Sequence, residues 1–418
     1  MSSKILILIS FSIISEVGYS LLAPLYPFIA KKLGLSNSLI GLVFSSFALS
    51  NFFATLITPT LITLIGRQRC FYLGILTEGI CTICFGLISF ISNSMMFTVF
   101  SFIIRFAQGA GGAVVQTLIY SLTAATSEKE SLEKNLGFME LGCSIGVAIG
   151  PLFASIGYYL FGFEFPFFLA GIIEIIMASL ICDLEIKERE NENDNVSIIK
   201  IITNKNVFMT FLATMIDMIS ISFIYPVFAT HLHRKFGLSP EIISLFFIIE
   251  TIAYFFSIQY LNTINKTLGN KLTMTVGTML NATFILFLCP NSFLPQICSI
   301  IIIGLAGLGV AGALISIPAV IDIIDTMKNE MGIEEHIAQD YSSAIFNLGF
   351  FFGETFGPLL GGMLTDKFGF EIACNYNSAF NFIFGLSFGV FILQGFDRQK
   401  KIKTDLIKME KSLDTICV

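Results

Sequence analysis

Charged residues are scarce in this sequence of 418 residues. Lysine and arginine number 24, aspartate and glutamate number 30, and together they make up 13% of the chain. Ordinary soluble domains carry about 25% charged and about 45–50% apolar residues, whereas this chain is 55% apolar with a mean hydropathy of +0.82. So few charges cannot cover the exteriors of the roughly two or three domains that a soluble fold of this length needs. The composition excludes a soluble enzyme or a nucleic-acid binder and indicates a protein of the lipid bilayer.

The chain also lacks the patterns that hold cofactors or cross-links. Its nine cysteines are scattered through apolar stretches, so no disulfide framework is indicated. The Cys81-x-x-Cys84 pair lies inside an apolar run, and His231-x-His233 has no carboxylate nearby in the sequence, so neither forms a metal-ligating pattern. No Gly-x-x-x-x-Gly-Lys-Ser/Thr motif occurs, which leaves ATP-driven transport unsupported. We therefore expect neither a cofactor nor a metal.

Apolar stretches long enough to cross a bilayer recur along the whole chain. A spanning helix needs about 20 mostly apolar residues, and breaks rich in charge, Gly, Pro or Asn separate twelve such stretches. The predicted spans 1 to 12 are residues 4–30, 39–63, 70–92, 95–125, 136–160, 166–182, 207–230, 240–261, 272–291, 296–321, 341–364 and 373–395. The sequence therefore predicts an all-α membrane protein with twelve transmembrane helices, the first of them retained rather than cleaved as a signal peptide.

The positive charges predict the orientation. The N-terminus, the loops after even-numbered spans and the C-terminal tail hold 18 of the lysine and arginine residues, against five on the opposite side. Because such residues are enriched in cytoplasmic loops, both termini are predicted to be cytoplasmic. The predicted parts are an N-terminal half (1–182), a cytoplasmic linker (183–206), a C-terminal half (207–395) and a cytoplasmic tail (396–418). A vesicular or other endomembrane and the plasma membrane all fit this topology.

The two halves repeat each other. Lys31-Lys-Leu-Gly-Leu-Ser36 follows span 1 and Arg234-Lys-Phe-Gly-Leu-Ser239 follows span 7, at an offset of 203 residues. Span 5 carries Gly146-x3-Gly150-Pro151 and span 11 carries Gly353-x3-Gly357-Pro358, at an offset of 207. Because each half has six helices, matched spans run in the same direction. The halves are therefore predicted to be related by a pseudo-two-fold axis along the membrane normal, with a substrate site between them.

Motifs in spans 4 and 5 resemble those of the major facilitator superfamily. Span 4 contains Arg105-x-x-Gln108-Gly109-x-Gly111-Gly112, which resembles the motif whose arginine is implicated in proton coupling. Span 5 contains Gly137, Gly146 and Gly150-Pro151, which resembles the antiporter motif, with Ala154-Ser155 in place of its usual glycine pair. Glycines spaced by four let helices approach closely, and prolines bend them. The resemblance implies the major facilitator fold and a transporter, not an enzyme.

Within the superfamily, the sequence is similar to the vesicular amine transporter family and especially to its polyamine transporter-like branch. The segments that carry the similarity are Pro24-Leu-Tyr-Pro27, Leu136-Gly-Phe-Met-Glu140, Gly332-Ile-Glu-Glu335 and the run from Gly361 to Phe370. This family usually has an acid on the first helix, and Glu16 supplies one here. The resemblance implies a proton-coupled antiporter for an organic cation.

Ionisable residues inside the predicted spans are the main candidates for function, because a charge at mid-bilayer costs at least about 2.5–3.5 kcal/mol. Seven acids and one base lie there: Glu16, Glu78, Glu140, Glu174, Asp217, Glu250, Glu354 and Arg105. The excess of acids favours a cationic substrate. The superfamily's architecture places spans 3 and 6 at the periphery. We therefore interpret Glu78 and Glu174 as structural acids that are neutral or hydrogen-bonded locally.

The remaining groups divide into two predicted roles. The repeat predicts that Glu16 and Asp217 occupy matched positions in the first helix of each half, about two turns before Pro24 and Pro226, where they could face each other across the cavity. The residues predicted to bind substrate are Glu16, Asp217, Tyr19, Gln116 and Asn347. The residues predicted to couple protons are Glu140, Arg105, Glu250 and Glu354. Arg105 is expected to pair with Glu140 or Glu16.

Three functions are compatible with these patterns. The sequence favours a monomeric antiporter that exchanges protons for a small organic cation, an amine or a polyamine. A broad-specificity multidrug:proton exporter shares the same fold and motifs. A transport-inactive membrane receptor or scaffold is a third possibility, but such a protein gains nothing from the cost of buried acids.

Overall fold

Helices form all the regular structure in the computed structural model, which describes residues 3–126, 132–181, 198–289, 295 and 297–416. A short 3-10 turn, Ile88–Phe90, follows the fourth helix. The helices are α1 (Ser3–Ser20), α2 (Leu22–Lys32), α3 (Asn37–Ile65), α4 (Arg67–Leu87), α5 (Ser94–Thr126), α6 (Leu132–Phe161), α7 (Glu164–Ile181), α8 (Ile198–Ile202), α9 (Lys205–Ser222), α10 (Phe228–Phe236), α11 (Pro240–Leu268), α12 (Asn270–Leu288), α13 (Cys298–Met331), α14 (Glu335–Phe368) and α15 (Phe370–Ile416).

The predicted spans correspond to these helices. Ten stretches of the described chain are long and apolar enough to cross a membrane, and they match spans 1 to 6, 8 to 10 and 12. Span 7 is formed by α9 with α10, and span 11 is α14; Asp217 and Glu354 lower the hydropathy of these helices. Large apolar side chains stay exposed, such as Leu64 (72%), Phe90 (71%) and Met95 (78%). Such exposure is expected where side chains face lipid. The all-α fold is confirmed.

The first helix of each half breaks at a matching place. α1 ends at Ser20 and α2 begins at Leu22, while α9 ends at Ser222 and turns lead to α10. Proline has no N–H, and its ring clashes with the carbonyl four residues earlier. Pro24 and Pro226 each stand four residues after one of these serines. The uninterrupted spans 1 and 7 of the prediction are therefore two helical segments each.

The helices pack in the same pairs in both halves. In the N-terminal half α1 packs on α6, α3 on α5, and α4 on α5 and α7. In the C-terminal half α9 packs on α14, α11 on α13, and α12 on α13 and α15. Each pair in one half has its counterpart in the other. The contacts of α3 with α14 and of α6 with α11 join the halves.

The halves meet at the face opposite the chain termini. Near the end of α14, Asp366 accepts hydrogen bonds from the backbone N–H groups of Asn37 (2.9 Å) and Ser38 (2.7 Å) and from the Ser38 hydroxyl (2.6 Å). The carboxylate of one half therefore caps the N-terminus of α3 in the other. Near the end of α6, Ser155 donates to the carbonyl of Pro240 at the start of α11 (3.3 Å). The contacting helix ends lie an odd number of crossings from the N-terminus, which places them on the side opposite both termini. Because the halves touch there, this face is closed.

We expect Asp366→Ala to destabilise the contact between α14 and the N-terminus of α3 by about 0.5–2 kcal/mol, the usual loss of stability when a helix N-cap is removed. Amide hydrogen exchange at Asn37 and Ser38, whose N–H groups bond Asp366, should become faster in purified protein. Glu371→Ala is the matched control, since Glu371 is an acid of the same face that pairs with Lys235 instead. Unchanged exchange in Asp366→Ala would show that the cap does not hold this face closed.

The pH dependence of this cap follows from the surroundings of Asp366. Burial opposes ionisation of this carboxyl, but the hydrogen bonds from Ser38 and Asn37 and the nearby Lys31 ammonium outweigh it and hold its pKa below the usual value. A lowered pKa makes the cap fully stabilising above the ordinary aspartate pKa of about 3.9, and the stabilisation is lost as pH falls through the lowered value. The cap should therefore persist across about pH 5 to 8.

Glycines bring α6 and α14 against the first helix of each half. A Cβ on Gly146 would lie 2.5 Å from the carbonyl oxygen of Ile13, and a Cβ on Gly353 would lie 2.4 Å from that of Met215. Real Cβ atoms do not come this close to backbone, so both helices would have to move apart. The glycines of the predicted antiporter motif and of its repeat thus lie at close helix crossings.

We expect Gly353→Ala to lower the free energy of unfolding by about 1–3 kcal/mol, the usual cost of overpacking. The melting temperature of the purified protein measures this. Gly389→Ala on α15 is the control, because a Cβ there meets Thr275 at an ordinary 3.5 Å. Equal melting temperatures for the two variants would show that the crossing of α9 and α14 accommodates a methyl group without strain.

Candidate functional site

Three acids of the C-terminal half lie within electrostatic range of Tyr225. Tyr225 lies in the turns between α9 and α10 and interacts electrostatically with Glu250, Glu354 and Asp217. These acids come from α11, α14 and α9, so three helices contribute to one cluster. Asp217 is 2% exposed, Glu354 is 7% exposed, and Glu250 is half-buried. The prediction missed Tyr225; its place directly before Pro226, at the helix break, was the available signal.

One oxygen of Asp217 is bound inside its own half. Asn281 of α12 donates from Nδ2 to Asp217 Oδ1 (2.8 Å). The other oxygen, Oδ2, faces α13 at Gly312, where a Cβ would lie 3.9 Å from it and 3.8 Å from the ring of Tyr254. Asp217 Oδ2, the Tyr254 ring and the Ile221 side chain thus all approach Gly312. Such a place suits a cationic group, which gains from both a carboxylate and a π face.

Tyr19 and Arg105 connect the N-terminal half to this cluster. The Tyr19 hydroxyl on α1 donates to Glu354 Oε1 on α14, which is a direct contact between the halves. The Arg105 guanidinium lies over two rings, 4.4 Å from the centroid of Phe47 and 5.6 Å from that of Tyr19. Arg105 is 2% exposed. Its positive charge therefore lies behind the tyrosine that bonds Glu354.

The polar bonds of Arg105 lead away from the interface. Arg105 Nη1 donates to Gln108 Oε1 (2.8 Å), and Gln108 Nε2 donates to the Thr82 hydroxyl (2.9 Å). Thr82 in turn donates to Glu174 Oε2 (3.0 Å). The structure thus gives Arg105 an amide partner where the sequence predicted Glu16 or Glu140, and the side chain of Glu140, in α6, is outside the described residues. Two residues of the predicted coupling motif, Arg105 and Gln108, form one chain of hydrogen bonds.

The repeat pairs Glu16 differently from the prediction. Gly146 and Gly353 are counterparts, and a Cβ on either would lie 2.6 Å from the Cβ of one residue on the packed helix: Glu16 for Gly146 and Met218 for Gly353. Met218 is therefore the counterpart of Glu16, and Ser15 is the counterpart of Asp217. Glu16 is therefore one residue away from the position equivalent to Asp217, which turns its side chain by about 100° around the helix axis.

The other predicted residues lie on the expected helices. Gln116 of α5 and Asn347 of α14 are half-buried, and Gly137 lies in α6. A Cβ on Gly109 would lie 2.3 Å from the carbonyl oxygen of Phe47, so α5 crosses α3 closely there. Pro151 and Pro358 lie within continuous helices, α6 and α14, one residue after Gly150 and Gly357.

Comparison with known proteins places this arrangement in a family. The sequence model of the Major Facilitator Superfamily matches the chain twice, over residues 8–211 and 210–411. The chain belongs to the major facilitator superfamily. Like the other members that it resembles, it is a multi-pass membrane transporter and not an enzyme. The double match agrees with the two halves of the fold.

Relatives within the superfamily cover nearly the whole chain. The human MFS-type transporter SLC18B1 is 26% identical over 411 residues, which is 96% of this chain and 89% of the relative. Multidrug resistance protein 2 of Bacillus subtilis is 24% identical over 86% of this chain and 88% of its own length. Among solved structures, the nucleoside transporter NupG is similar in fold, with a TM-score of 0.75 at 12% identity over 94% of this chain and 99% of NupG.

Proposed function

We propose that this transporter exchanges protons for an organic cation by alternating access. The observation that carries the proposal is the cluster of Asp217, Glu250 and Glu354 around Tyr225, with Arg105 as the nearby base. Three buried or half-buried acids outnumber one guanidinium that is bonded elsewhere. Carboxylates in such a place must bind a cation or a proton to avoid the cost of uncompensated charge. A cation and protons that compete for the same carboxylates are exchanged for each other.

The position of Glu354 links this competition to movement of the halves. The Tyr19–Glu354 hydrogen bond crosses from α1 to α14, so rocking of one half against the other must break or remake it. Protonation of Glu354 removes the carboxylate that accepts this bond. If both termini are cytoplasmic, as the positive charges predict, the closed face is luminal or extracellular. The structure would then represent the inward-facing state, in which the site opens to the cytoplasm.

An amine or polyamine is the substrate class that we favour. The carboxylates of the cluster suit an ammonium group, and the rings of Tyr19 and Tyr225 add π faces. The resemblance of the sequence motifs to the vesicular amine transporter family supports this class, and the human MFS-type transporter SLC18B1 is similar over 96% of the chain. Asp217 and Glu16 are the acids that we assign to substrate, with Tyr19, Gln116 and Asn347 as neutral partners. Arg105, Glu140, Glu250 and Glu354 are assigned to proton coupling.

A lipophilic cation is the second candidate substrate. The halves also meet through the rings of Phe52 on α3 and Phe352 on α14, whose centroids are 6.1 Å apart. Aromatic rings at the interface between the halves suit bulky drugs as well as slender amines. The similarity to Bacillus subtilis multidrug resistance protein 2 favours the same candidate.

We expect proteoliposomes with an acidic interior to accumulate a cation probe, because no nucleotide motif exists and the titratable carboxyls offer the coupling. Spermidine and tetraphenylphosphonium, each tested alone, distinguish a polyamine transporter from a multidrug exporter. A protonophore should abolish accumulation, and Glu354→Gln should reduce it strongly. Accumulation that persists with a protonophore, or no saturable uptake of either probe, would contradict the proposal.

A further inference from the structure

Two acids that the proposed function leaves unused lie inside the N-terminal half. Glu78 of α4 and Glu174 of α7 are each 1% exposed. Ser15 donates to Glu78 Oε1 (2.8 Å), and Thr82 donates to Glu174 Oε2 (3.0 Å). The second oxygen of Glu174, Oε1, is buried and has no hydrogen-bond partner among the described residues. Both acids line one small cavity together with Ser15.

The internal repeat identifies the counterpart of Glu78. Gly74 packs on α5 at Val114, and Gly277, 203 residues later, packs on α13 at Leu314 in the same way. The same offset makes Asn281 the counterpart of Glu78. Each of these residues bonds the first helix of its own half: Glu78 bonds Ser15, and Asn281 bonds Asp217.

The counterpart of Glu174 is also an asparagine. Gly171 of α7 packs on the backbone of Gly79, and Ser378 of α15 donates to the carbonyl of Ala282 (2.6 Å). The offset of 207 residues between Gly171 and Ser378 makes Asn381 the counterpart of Glu174. Asn381 Nδ2 donates to the Ser220 hydroxyl on α9 (2.6 Å).

Neutral amides therefore fill both places in the C-terminal half. In α12 and α15 the same helix contacts form through amides, so packing of these two helices does not require an acid at the places of Glu78 and Glu174. The acid of the first contact stands on α9 instead, as Asp217. The residue facing Glu174 differs as well. Gly18 stands where Ser220 stands in the other half, and a Cβ on Gly18 would lie 2.2 Å from Glu174 Oε1. In the N-terminal half the carboxylate oxygen thus occupies the room that a side chain at Gly18 would take, and Gly18 offers it no hydroxyl, whereas the C-terminal half supplies the Ser220 hydroxyl.

Two carboxylates buried this deeply cannot both be ionised at low cost, because they repel each other and one oxygen has no donor. The charged and titratable groups near them are Arg105 on α5, Cys81 on α4 and, next to Ser15 on α1, Glu16. Arg105 interacts electrostatically with Glu78, and among the described residues its hydrogen bonds lead to Glu174 through Gln108 and Thr82. A bound proton is the smallest ligand that resolves the repulsion, and it would give the unpartnered oxygen an O–H in place of a buried charge.

We propose that Glu78 and Glu174 form a proton-binding site of the transporter, connected to the substrate cluster through Arg105. With the pair deprotonated, its negative charge strengthens the chain from Arg105 through Gln108 and Thr82. With a proton bound, that attraction weakens and the guanidinium acts more strongly on Tyr19 and Glu354. The assignment rests on the proposed proton coupling for its role in transport, but the binding of a proton to the pair is independent of it.

Difference infrared spectroscopy of the purified protein between acidic and alkaline pH tests proton binding without any substrate. The wild type should show a buried carboxylic acid band that titrates. This band should be lost or shifted in Glu78→Gln and in Glu174→Gln. Glu164→Gln, on the same helix as Glu174 and bonded to Ser89, is the matched control and should keep the band. A band that survives unchanged in both variants overturns the proposal.

Uptake of spermidine or tetraphenylphosphonium driven by a pH gradient tests the connection to transport. Glu174→Gln should reduce it by about 5- to 150-fold, the usual size of coupling between two sites, while Glu164→Gln should match the wild type. Equal melting temperatures would exclude a folding defect, and Glu174→Asn, which copies Asn381, is the second variant if glutamine destabilises the helix pair. Normal pH-driven uptake in a folded variant overturns the link to Arg105. If the wild type itself shows no coupled uptake, the proposed function fails while the infrared result still decides whether the pair binds a proton.

Discussion

Arg105→Ala should abolish pH-driven uptake of a cation probe, with a loss of about 100-fold if proton and substrate sites are coupled as strongly as allosteric sites commonly are. The guanidinium packs on the rings of Phe47 and Tyr19 and bonds Gln108, so it is the described link between the acid cluster and the acids of the N-terminal half. Its removal leaves buried acids without the nearby positive charge.

Arg105→Lys separates charge from geometry in this prediction. Lysine keeps the charge but has no planar fork to lie over a ring and bond an amide at the same time, so little activity should return. Gly109 and Gly309 lie at matching close crossings, on the backbone of Phe47 and of Glu250, and this offset of 200 residues makes Leu308 the counterpart of Gln108. Gln108→Leu should therefore break the chain to Thr82 and leave the charge in place. Full coupled transport in Arg105→Ala would refute the role of this residue.

Asp217→Asn should weaken binding of a cation probe by roughly 5- to 30-fold. Neutralising this acid removes an attraction to the cation of a few kcal/mol at an effective dielectric near 20. The desolvation that the charge no longer costs reduces the net loss of binding free energy to about 1–2 kcal/mol. Each 1.4 kcal/mol changes the dissociation constant about tenfold. The Asn281 amide remains to hold the new side chain. Equilibrium binding of the probe to purified protein measures the effect.

Glu354→Gln should behave differently from Asp217→Asn. It should spare probe binding at a fixed pH and reduce pH-driven uptake, because the account assigns the proton to Glu354. Asp322→Asn is the control for loss of a buried acid: Asp322 bonds Thr210 (2.6 Å) within its own half and should affect neither measurement. Equal defects in Asp217→Asn and Glu354→Gln would refute the division into substrate and proton sites.

The sequence predicts the helices and the duplication because both depend on patterns that a chain carries locally. Apolar length marks most spans, and Gly146 and Gly353 mark the same helix crossing in each half. The helix break at Leu21 and the broader turns after Ser222 were missed, although Pro24 and Pro226 cause both. An apolar run does not reveal where a missing N–H interrupts a helix.

The register between Glu16 and Asp217 also escaped prediction. The matching loops at Lys31 and Arg234 give an offset of 203 residues between the halves. In the packed helices, Ser20 donates to the carbonyl of Gly146 and Ser222 to that of Gly353, so the offset there is 202 residues. The wider break between α9 and α10 accounts for the extra residue. Only the packing reveals that Ser15, and not Glu16, is equivalent to Asp217.

The interpretation of Glu78 and Glu174 as local acids was incomplete for a related reason. The hydrogen bonds to Ser15 and Thr82 agree with it, but the chain to Arg105 joins three helices through residues that lie far apart in the sequence. Burial and partner geometry are properties of the folded protein, and neither follows from a residue's position within an apolar run.

Simultaneous recording of cation uptake and internal pH in one proteoliposome sample shows whether the transporter exchanges protons for the cation. The account predicts that spermidine or tetraphenylphosphonium entering from outside releases protons from the acidic interior in fixed proportion. In Glu354→Gln the cation flux and the proton flux should fall together. Cation uptake by the wild type with no accompanying proton release would contradict proton exchange at this acid cluster.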